Sequence, residues 1–429
     1  MEVKESSVSE ILTSLREALV LDRGETFVRD LKKLREKHLD SLVLNAVFHP
    51  NPETKRFLIW LLQSVTQSAG VIPASLATFY RLKAHDKLSK QTIPSFRVED
   101  LAYDAARALF RAAKNNSTMA FLFECPVSLG NSMGSQDEFF SGFSAVVASA
   151  ALREGWAGPI FIQNEDLPLR KETEFTETSE TSLCIANLFR AGVYNLNIDV
   201  SNCLDSTDPT LEGRHRLGSE VAANALEWIR RNQPSSMSVS IGVKIGLTQQ
   251  NVSSVDELRI FMDGFIQELK KKEPSVEGIN KVFLTTKSKE ELEALSQMAM
   301  TAYKLAGIVQ SDEGSAELLS YESFAKINVA ELHLRRLCRN TLMESALPQE
   351  FHEHFKKPYH KNEIQTLKTT MWDLSPSIRR EVSERLQRKF DSAFKGLGSV
   401  NTSEDILEEV ETVKVNPYLP ESIKKLVLS

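Results

Sequence analysis

The feature that most constrains the fold is a regular alternation of short apolar runs and amphipathic stretches after residue 90. Runs rich in apolar or β-branched residues occur at 92–96, 119–124, 159–163, 194–200, 237–243, 281–285, 306–310 and 326–330. Helical patterns separate them, at 100–114, 137–154, 179–191, 218–231, 254–272, 289–305 and 314–324. Alternating strands and helices form parallel sheets, and eight such units favour closure into a barrel. The sequence therefore predicts an α/β fold, a (β/α)8 TIM barrel over residues 91–340.

The residues before the barrel predict a helical N-terminal extension over 1–90. Apolar residues recur at helical spacing at 11–20 and again at 25–44, and either Ser7 or Ser9 is suited to cap the first helix. The residues after the barrel, 341–429, predict a helical C-terminal extension. Its clearest helix spans 374–394, where apolar residues recur every four positions: Ile378, Val382, Leu386 and Phe390.

Composition narrows the classes of partner and compartment. The formal net charge of −6 argues against a nucleic-acid surface, which usually carries a basic excess. No run of about 18 apolar residues suggests a membrane span, and the first 20 residues lack the apolar core of a signal peptide. The cysteines form no C-x-x-C pair: Cys125, Cys184, Cys203 and Cys338. We therefore expect a cytoplasmic protein with reduced thiols and with neither a nucleic-acid nor a membrane partner.

Several segments near the strand ends resemble the class II, metal-dependent fructose-bisphosphate and ketose-bisphosphate aldolases. The matching segments occur in the family's order: TIPSFRVEDLAYDAARALFRAA, REGWAGPIFIQNED, AGVYNLNIDVS, MSVSIGVKIG, AGIVQSDEGS and FAKINVAELHLRRL. The stretch KNEIQTLKTTMWDLSPSIRREVSERLQRKFDSAFKGLG is similar to the tail of a long subgroup with extra terminal helices. The resemblance implies a zinc ion acting as a Lewis acid and a phosphorylated sugar as ligand. It also implies substrate-binding positions at Asp199, Gly314, Ser315 and Asn328.

The chain departs from this family at the positions that would hold the metal. Glu165 and Asp166 stand where the family has an Asp followed by a zinc-binding His, and Lys244 replaces an acidic residue. The segment 310–315 contains no His, and the loop after the sixth strand is shortened. His333 follows the predicted eighth strand and is expected at the start of its helix. Every metal-binding His that the resemblance implies is therefore missing.

Alternative chemistry remains open at these positions. Glu165 and Asp166 are candidate ligands for a divalent metal such as Mg²⁺ or Mn²⁺, together with other carboxylates at the strand ends. Lys244 is a candidate Schiff-base lysine and Glu165 a candidate catalytic carboxylate. The favoured interpretation of Lys244 is a structural ion pair with Glu165. Cys125 follows Glu124, but no His base for a Cys nucleophile is evident in the sequence.

Three functional hypotheses follow. The first is a catalytically inactive, aldolase-like barrel with a binding, assembly or regulatory role. The second is an active lyase on a phosphorylated sugar, with Lys244 as a Schiff base or with a carboxylate-bound divalent metal. The third is a structural protein whose added helices form oligomers. We expect no resident cofactor, with a divalent metal as the alternative. We also expect a homo-oligomer or a protein partner, and a phosphorylated small molecule is a candidate ligand.

Overall fold

A computed structural model describes residues 6–22, 24–88, 91–98, 102–127, 136–246, 254–272, 276–284, 286, 288–313, 319–345, 347, 372–414, 417, 419 and 424. Its main sheet has nine strands, of which the short Leu167–Pro168 pairs only with the barrel strand Asn195–Asp199. The other eight are parallel and surround one axis: Ile93–Arg97, Leu122–Cys125, Ile162–Asn164, Asn195–Asp199, Ser240–Lys244, Lys281–Phe283, Ile308–Ser311 and Glu331–Leu334. Each strand pairs with the next, and the eighth pairs with the first through Leu332 opposite Pro94. The chain is therefore a closed (β/α)8 TIM barrel, and the predicted fold class is confirmed.

Helices surround the barrel. Those that follow the eight strands are Ala102–Asn115, Gln136–Arg153, Glu180–Arg190, Leu211–Asn232, Ser254–Lys270, Lys289–Tyr303, Tyr321–Ile327 and Leu337–Met343. The C-terminal segment adds Pro376–Gly396 and Ser403–Glu409. Arg379 of the long C-terminal helix binds Asp104 of the first barrel helix, with Nη2 2.6 Å from Oδ2. Val382, Leu386 and Phe390 are buried, as their spacing predicts.

Two strand positions differ from the sequence prediction. The run predicted at 159–163 is two strands: Gly158–Ile160 pairs with Val71–Pro73 outside the barrel, and Ile162–Asn164 enters the barrel. The eighth strand, predicted at 326–330, is Glu331–Leu334. Residues 326 and 327 instead end a helix, because Asn328 adopts the left-handed conformation (φ 64°) and stops it. An αL residue directly after a helix is a common terminator that an apolar pattern does not reveal.

The N-terminal extension begins as predicted and then departs from an all-helical pattern. Ser7 caps the helix Val8–Leu15 through a capping box with Glu10. An antiparallel hairpin follows, formed by Leu19–Asp22 and Glu25–Val28, so the helix predicted over 25–44 was wrong at its start. The remaining helical elements are Leu31–Lys33, a π turn at Leu34–His38, Leu39–Phe48, Pro52–Ser68 and Ala77–Ala84. The β-branched and aromatic residues at 26–28 favour a strand over a helix.

The helix Ala77–Ala84 closes the amino end of the barrel. Its Phe79 and Tyr80 are fully buried among residues from the starts of the barrel strands, including Ile93 and Leu122. This arrangement ties the N-terminal extension to the barrel interior and leaves the carboxyl ends of the strands as the functional face. No helix in the described part of the chain is long and apolar enough to span a membrane.

Candidate functional site

A row of buried polar side chains crosses the interior of the barrel. Lys281 on the sixth strand contacts Glu331 on the eighth strand and donates to Gln163 Oε1 on the third strand, at 2.6 Å. Tyr80, from the helix at the amino end, donates to the same Glu331 carboxylate. These strands are not neighbours, so their contacts cross the centre of the barrel. The small residue at position 242 makes room: a Cβ on Gly242 would lie 2.8 Å from Lys281 Cε.

Burial and ion pairing determine the protonation states of these interior side chains. Burial lowers the pKa of Lys281, while the Glu331 carboxylate opposes that shift. Burial alone would raise the pKa of Glu331, but Lys281 and His333 together lower it to about 2. The pair is thus an ion pair in a region without solvent, because Lys281 and Glu331 are both fully buried. Neither residue was identified as a site candidate from the sequence.

His333 extends this row of buried polar side chains toward the carboxyl ends of the strands. It belongs to the eighth strand and is fully buried, so its predicted position at a helix start was wrong. Its Nε2 lies 3.0 Å from Glu331 Oε2, and its Nδ1 lies 3.5 Å from Glu124 Oε1. Burial opposes protonation, but the two carboxylates outweigh it and raise the pKa of His333. His333 is therefore bound between two carboxylates and is not presented to a metal.

Glu124, at the end of the second strand, is bound by Arg335. Arg335 Nε and Nη2 lie 2.8 and 2.6 Å from Glu124 Oε1. Burial alone would raise the pKa of Glu124, but Arg335, His333 and Arg97 hold it well below its usual range. Glu124 is consequently a buried structural anion. Cys125, beside it, is also buried.

Lys244 is enclosed by two carboxylates at the end of the fifth strand. Its Nζ lies 3.1 Å from Asp166 Oδ2 and 2.8 Å from Asp199 Oδ2. Burial lowers the pKa of Lys244, but these two aspartates outweigh burial and raise it. The favoured interpretation as an ion pair is consistent with this geometry, but the partner predicted for the pair, Glu165, is not the one observed. A Schiff-base lysine needs a lowered pKa, and the shift here has the opposite sign.

Glu165 binds Arg97 instead, at the ends of the third and first strands. Arg97 was not singled out from the sequence, although its place at the end of TIPSFR, a predicted strand, could have marked it. Asp166 is held on one oxygen only. Its Oδ2 faces Lys244 and Arg335, while its Oδ1 is buried without a hydrogen-bond partner in the described part of the chain.

Of the substrate-binding positions that the resemblance implies, the two described ones, Asn328 and Asp199, lie at opposite ends of the barrel. Asn328 precedes the eighth strand and lies at the amino end of the barrel, where Lys83 donates to its side-chain oxygen. Its predicted place within the eighth strand is corrected, because that strand begins three residues later. Asp199 lies at the functional face and binds Lys244. Gly314 and Ser315 lie outside the described residues.

Asp312, just after the seventh strand, organises the turn that carries Arg335. Its carboxylate accepts from the backbone N–H groups of Arg335, at 3.0 Å, and of Arg336, at 3.0 and 3.3 Å. Burial raises the pKa of Asp312 to about 6, although these two N–H donors favour its ionised form. Asp312 thus fixes the backbone next to the Arg335–Glu124 pair.

The described residues do not fit a resident divalent metal at this face. Among them, no cluster of three His, Cys, Asp or Glu side chains has the arrangement of a metal site. The two candidate ligands are already neutralised, Glu165 by Arg97 and Asp166 by Lys244 and Arg335. A metal bound by both would have to displace these cations.

Taken as a unit, these contacts join five cations and five carboxylates, and Glu313 also lies 3.6 Å from Arg335. The cations are Arg97, Lys244, Lys281, His333 and Arg335, and the carboxylates are Glu124, Glu165, Asp166, Asp199 and Glu331. Every member has an oppositely charged partner from a different strand or turn. The arrangement is suited to holding the strand ends together.

Comparison with known proteins finds likeness only at the level of structure. No protein-family model and no curated protein sequence matches the chain. The fructose-bisphosphate aldolase of Campylobacter jejuni matches with a TM-score of 0.49 and 12% identity, covering 77% of this chain and 96% of that one. The YdjI aldolase of Escherichia coli K12 matches with a TM-score of 0.45 and 12% identity, covering 76% and 98%.

The fructuronate-tagaturonate epimerase UxaE of Cohnella laeviribosi matches with a TM-score of 0.46 and 10% identity, covering 84% of this chain and 86% of that one. The fold assignment rests on the closed strand pairing of the chain itself. Likenesses of this order carry no argument about function.

Proposed function

We propose that this chain is a catalytically inactive, aldolase-like TIM barrel that acts by binding or assembly. One observation carries the proposal: Lys244, the residue best placed for covalent catalysis, is an ammonium held between Asp166 and Asp199. The raised pKa of Lys244 keeps the amine protonated, and a protonated amine cannot attack a carbonyl carbon.

Ion pairing also opposes catalysis through a divalent metal. Glu165 and Asp166 are each paired with cations, and the imidazole of His333 is bound between Glu124 and Glu331. A carboxylate site for Mg²⁺ or Mn²⁺ requires oxygen ligands that are free to coordinate. This second hypothesis is therefore not favoured.

A binding role is supported by Asp166. Its side chain is 8% exposed, and its Oδ1 lacks a partner within the described part of the chain. Buried acceptors without a partner are uncommon in proteins, so this atom is suited to a hydroxyl of a small ligand or to an ordered water. The cations on Oδ2 fix the orientation of the carboxylate.

The test begins with metal content. The purified protein is incubated with zinc, manganese and magnesium, freed of unbound ion and analysed by mass spectrometry. The proposal predicts less than stoichiometric metal, with no change in the Glu165→Ala or Asp166→Ala variants. One metal per chain that either substitution removes would overturn it.

The covalent route is tested separately. The protein is incubated with phosphorylated ketoses and reduced with borohydride, and intact masses of the wild type and of Lys244→Met are compared. The proposal predicts that the two proteins show the same background labelling. The matched control is Lys389→Met, an exposed lysine on the C-terminal helix. An adduct lost only in Lys244→Met would identify an active lyase.

A further inference from the structure

Two buried polar atoms near the carboxyl ends of the barrel strands have no hydrogen-bond partner in the described part of the chain. One is Asp166 Oδ1, and the other is the side-chain amide nitrogen, Nδ2, of Asn197 on the fourth strand. The side chain of Asp166 is 8% exposed and Asn197 is 4% exposed, so both are more than nine-tenths buried. Buried donors and acceptors are rarely left unpaired, because that is unfavourable. This acceptor and this donor are therefore suited to a ligand that pairs with both.

The two side chains face the same region, above Lys281 in the barrel interior. A Cβ on Gly242 would overlap Asn197 Oδ1 and lie 2.8 Å from Lys281 Cε, so the Asn197 side chain lies beside Lys281. The Asp166 carboxylate acts on the same lysine. Burial lowers the pKa of Lys281, and the neighbouring carboxylates, Asp166 among them, oppose that shift. The unpaired donor and the unpaired acceptor thus flank one side chain from two different strands.

This region opens toward the strand ends at Lys244. Its ammonium lies 3.1 Å from Asp166 Oδ2 and 2.8 Å from Asp199 Oδ2. Asn197 is two residues before Asp199 on the same strand, so both side chains point inward, about 6.6 Å apart along the strand. The Lys244 side chain is 31% exposed, whereas that of Asp166 is 8% exposed. A ligand that enters past Lys244 therefore reaches the two aspartates first and Asn197 at greater depth.

The ion pairs at this face favour a ligand without charge. Three cations here have carboxylate partners: Lys244 with Asp166 and Asp199, Arg335 with Glu124, and Arg97 with Glu165. A phosphate or carboxylate group would have to displace one of these carboxylates and leave it buried without its counter-ion. A cationic ligand would meet the ammonium and guanidinium groups that already face Asp166 Oδ2. A hydroxyl group avoids both penalties, and it is a donor and an acceptor at once.

We propose that this face binds an uncharged, polyhydroxylated molecule, a free sugar or a sugar alcohol, through Asp166 and Asn197. One hydroxyl donates to Asp166 Oδ1, and the oxygen of another accepts from Asn197 Nδ2. Phe283, at the end of the sixth strand, lies next to Lys244, whose Nζ is 5.6 Å from the ring centre, and provides an apolar wall for the carbon skeleton. The inference rests on the proposed function, because it names the ligand class of the same face.

Titration calorimetry with matched pairs of sugars tests the charge of the ligand. The uncharged probes are fructose, ribose and sorbitol, and their counterparts are fructose 6-phosphate, ribose 5-phosphate and sorbitol 6-phosphate. We expect the full chain to bind at least one uncharged probe and to bind its phosphorylated counterpart at least about 10-fold more weakly. The inference is overturned if no uncharged probe binds, or if the phosphorylated member of the pair binds equally well or better.

A substitution at Asn197 tests the deeper contact. Asn197→Ala removes the unpaired donor and should weaken binding of the uncharged probe by roughly 3- to 10-fold, the effect of one neutral hydrogen bond. Asn197→Leu, which fills the space but cannot donate, repeats the test if the alanine variant does not fold. The matched control is Ser149→Ala, which removes another buried, unpartnered polar atom on the helix Gln136–Arg153, and should bind like the wild type. Equal affinity of the wild type and both Asn197 variants would refute this contact.

Failure of this inference differs from failure of the proposed function. A stoichiometric metal or a Lys244 adduct would overturn the proposed function itself. A chain that carries neither, but that prefers the phosphorylated probes or binds none of the sugars, would overturn the ligand class alone.

Discussion

Arg335 and Glu124 form a buried ion pair that joins the end of the eighth strand to the end of the second. Two guanidinium nitrogens, Nε and Nη2, lie 2.8 and 2.6 Å from the same carboxylate oxygen, and Nε lies 3.1 Å from the other. The first strand lies between these two strands in the sheet. The pair therefore spans the first strand and helps to fix the closure of the barrel.

Removing one member of this pair is expected to be costly. Arg335→Met leaves the fully buried Glu124 carboxylate without its main counter-ion, and uncompensated buried charges cost about 3–5 kcal/mol. The free energy of unfolding, measured by urea titration, should fall by that amount. The double variant Glu124→Gln/Arg335→Met should lose clearly less, because no unpaired charge remains.

The control for this prediction is Arg380→Met, which removes an exposed ion pair with Glu384 on the C-terminal helix. Surface pairs of this kind contribute about 0–1 kcal/mol. A loss in Arg335→Met no larger than in Arg380→Met would show that the Arg335–Glu124 pair does not stabilise the barrel.

A second prediction concerns Lys83, a buried lysine at the amino end of the barrel. Its Nζ donates to Gln91 O at 2.6 Å and to the Asn328 side-chain oxygen. A neutral amine has two N–H groups for these two acceptors, whereas an ammonium would leave a third N–H unpaired. Burial lowers the pKa of Lys83 from 10.5 to about 7.

The lowered pKa of Lys83 determines the direction in which pH changes the free energy of unfolding. Between pH 7 and 10.5 the unfolded chain binds a proton at Lys83 that the folded chain does not, so the free energy of unfolding rises with pH. From pH 7 to pH 9 the wild type should gain about 2 kcal/mol relative to Lys83→Met. Chemical denaturation at several pH values measures this difference. Lys395→Met, at an exposed position, should run parallel to the wild type, and a Lys83→Met profile that also runs parallel would refute the assignment.

A third prediction concerns Gly242, whose missing side chain leaves space for Lys281 in the barrel interior. A Cβ at position 242 would overlap Asn197 Oδ1 and lie 2.8 Å from Lys281 Cε. Gly242→Ala should therefore destabilise the fold by about 1–3 kcal/mol, through displacement of the Lys281–Glu331 pair. Thermal unfolding of the two proteins measures the change.

The matched control is Gly142→Ala. This glycine lies within the helix Gln136–Arg153, and its Cβ would meet only Ile59 Cδ1 at 3.5 Å, an ordinary contact. Alanine favours a helix interior over glycine by about 0.5–1 kcal/mol, so this variant should be more stable than the wild type. Equal effects at both positions would argue against the packing explanation.

The alternation of apolar runs and amphipathic stretches was enough to predict the barrel. Periodicity is a local property, and it also located the C-terminal helix, with Val382, Leu386 and Phe390 buried on one face. Local pattern was insufficient at the hairpin Leu19–Val28 and at the eighth strand. At the hairpin, a short run of β-branched and aromatic residues outweighed an apolar spacing that also fitted a helix. At the eighth strand, an apolar run predicted a strand where a helix continues until Asn328 ends it.

At the strand ends, too, the sequence determined some properties and the tertiary structure determined others. The lack of histidines at the third, fifth and seventh strand ends is a fact of the sequence, and so is the lysine at position 244. The partners of these residues were decided by the tertiary structure. Lys244 pairs with Asp166 and Asp199, and Glu165 pairs with Arg97, 68 residues away. Which charges meet depends on barrel closure and strand register, and these bring together residues whose separation along the chain carries no such information.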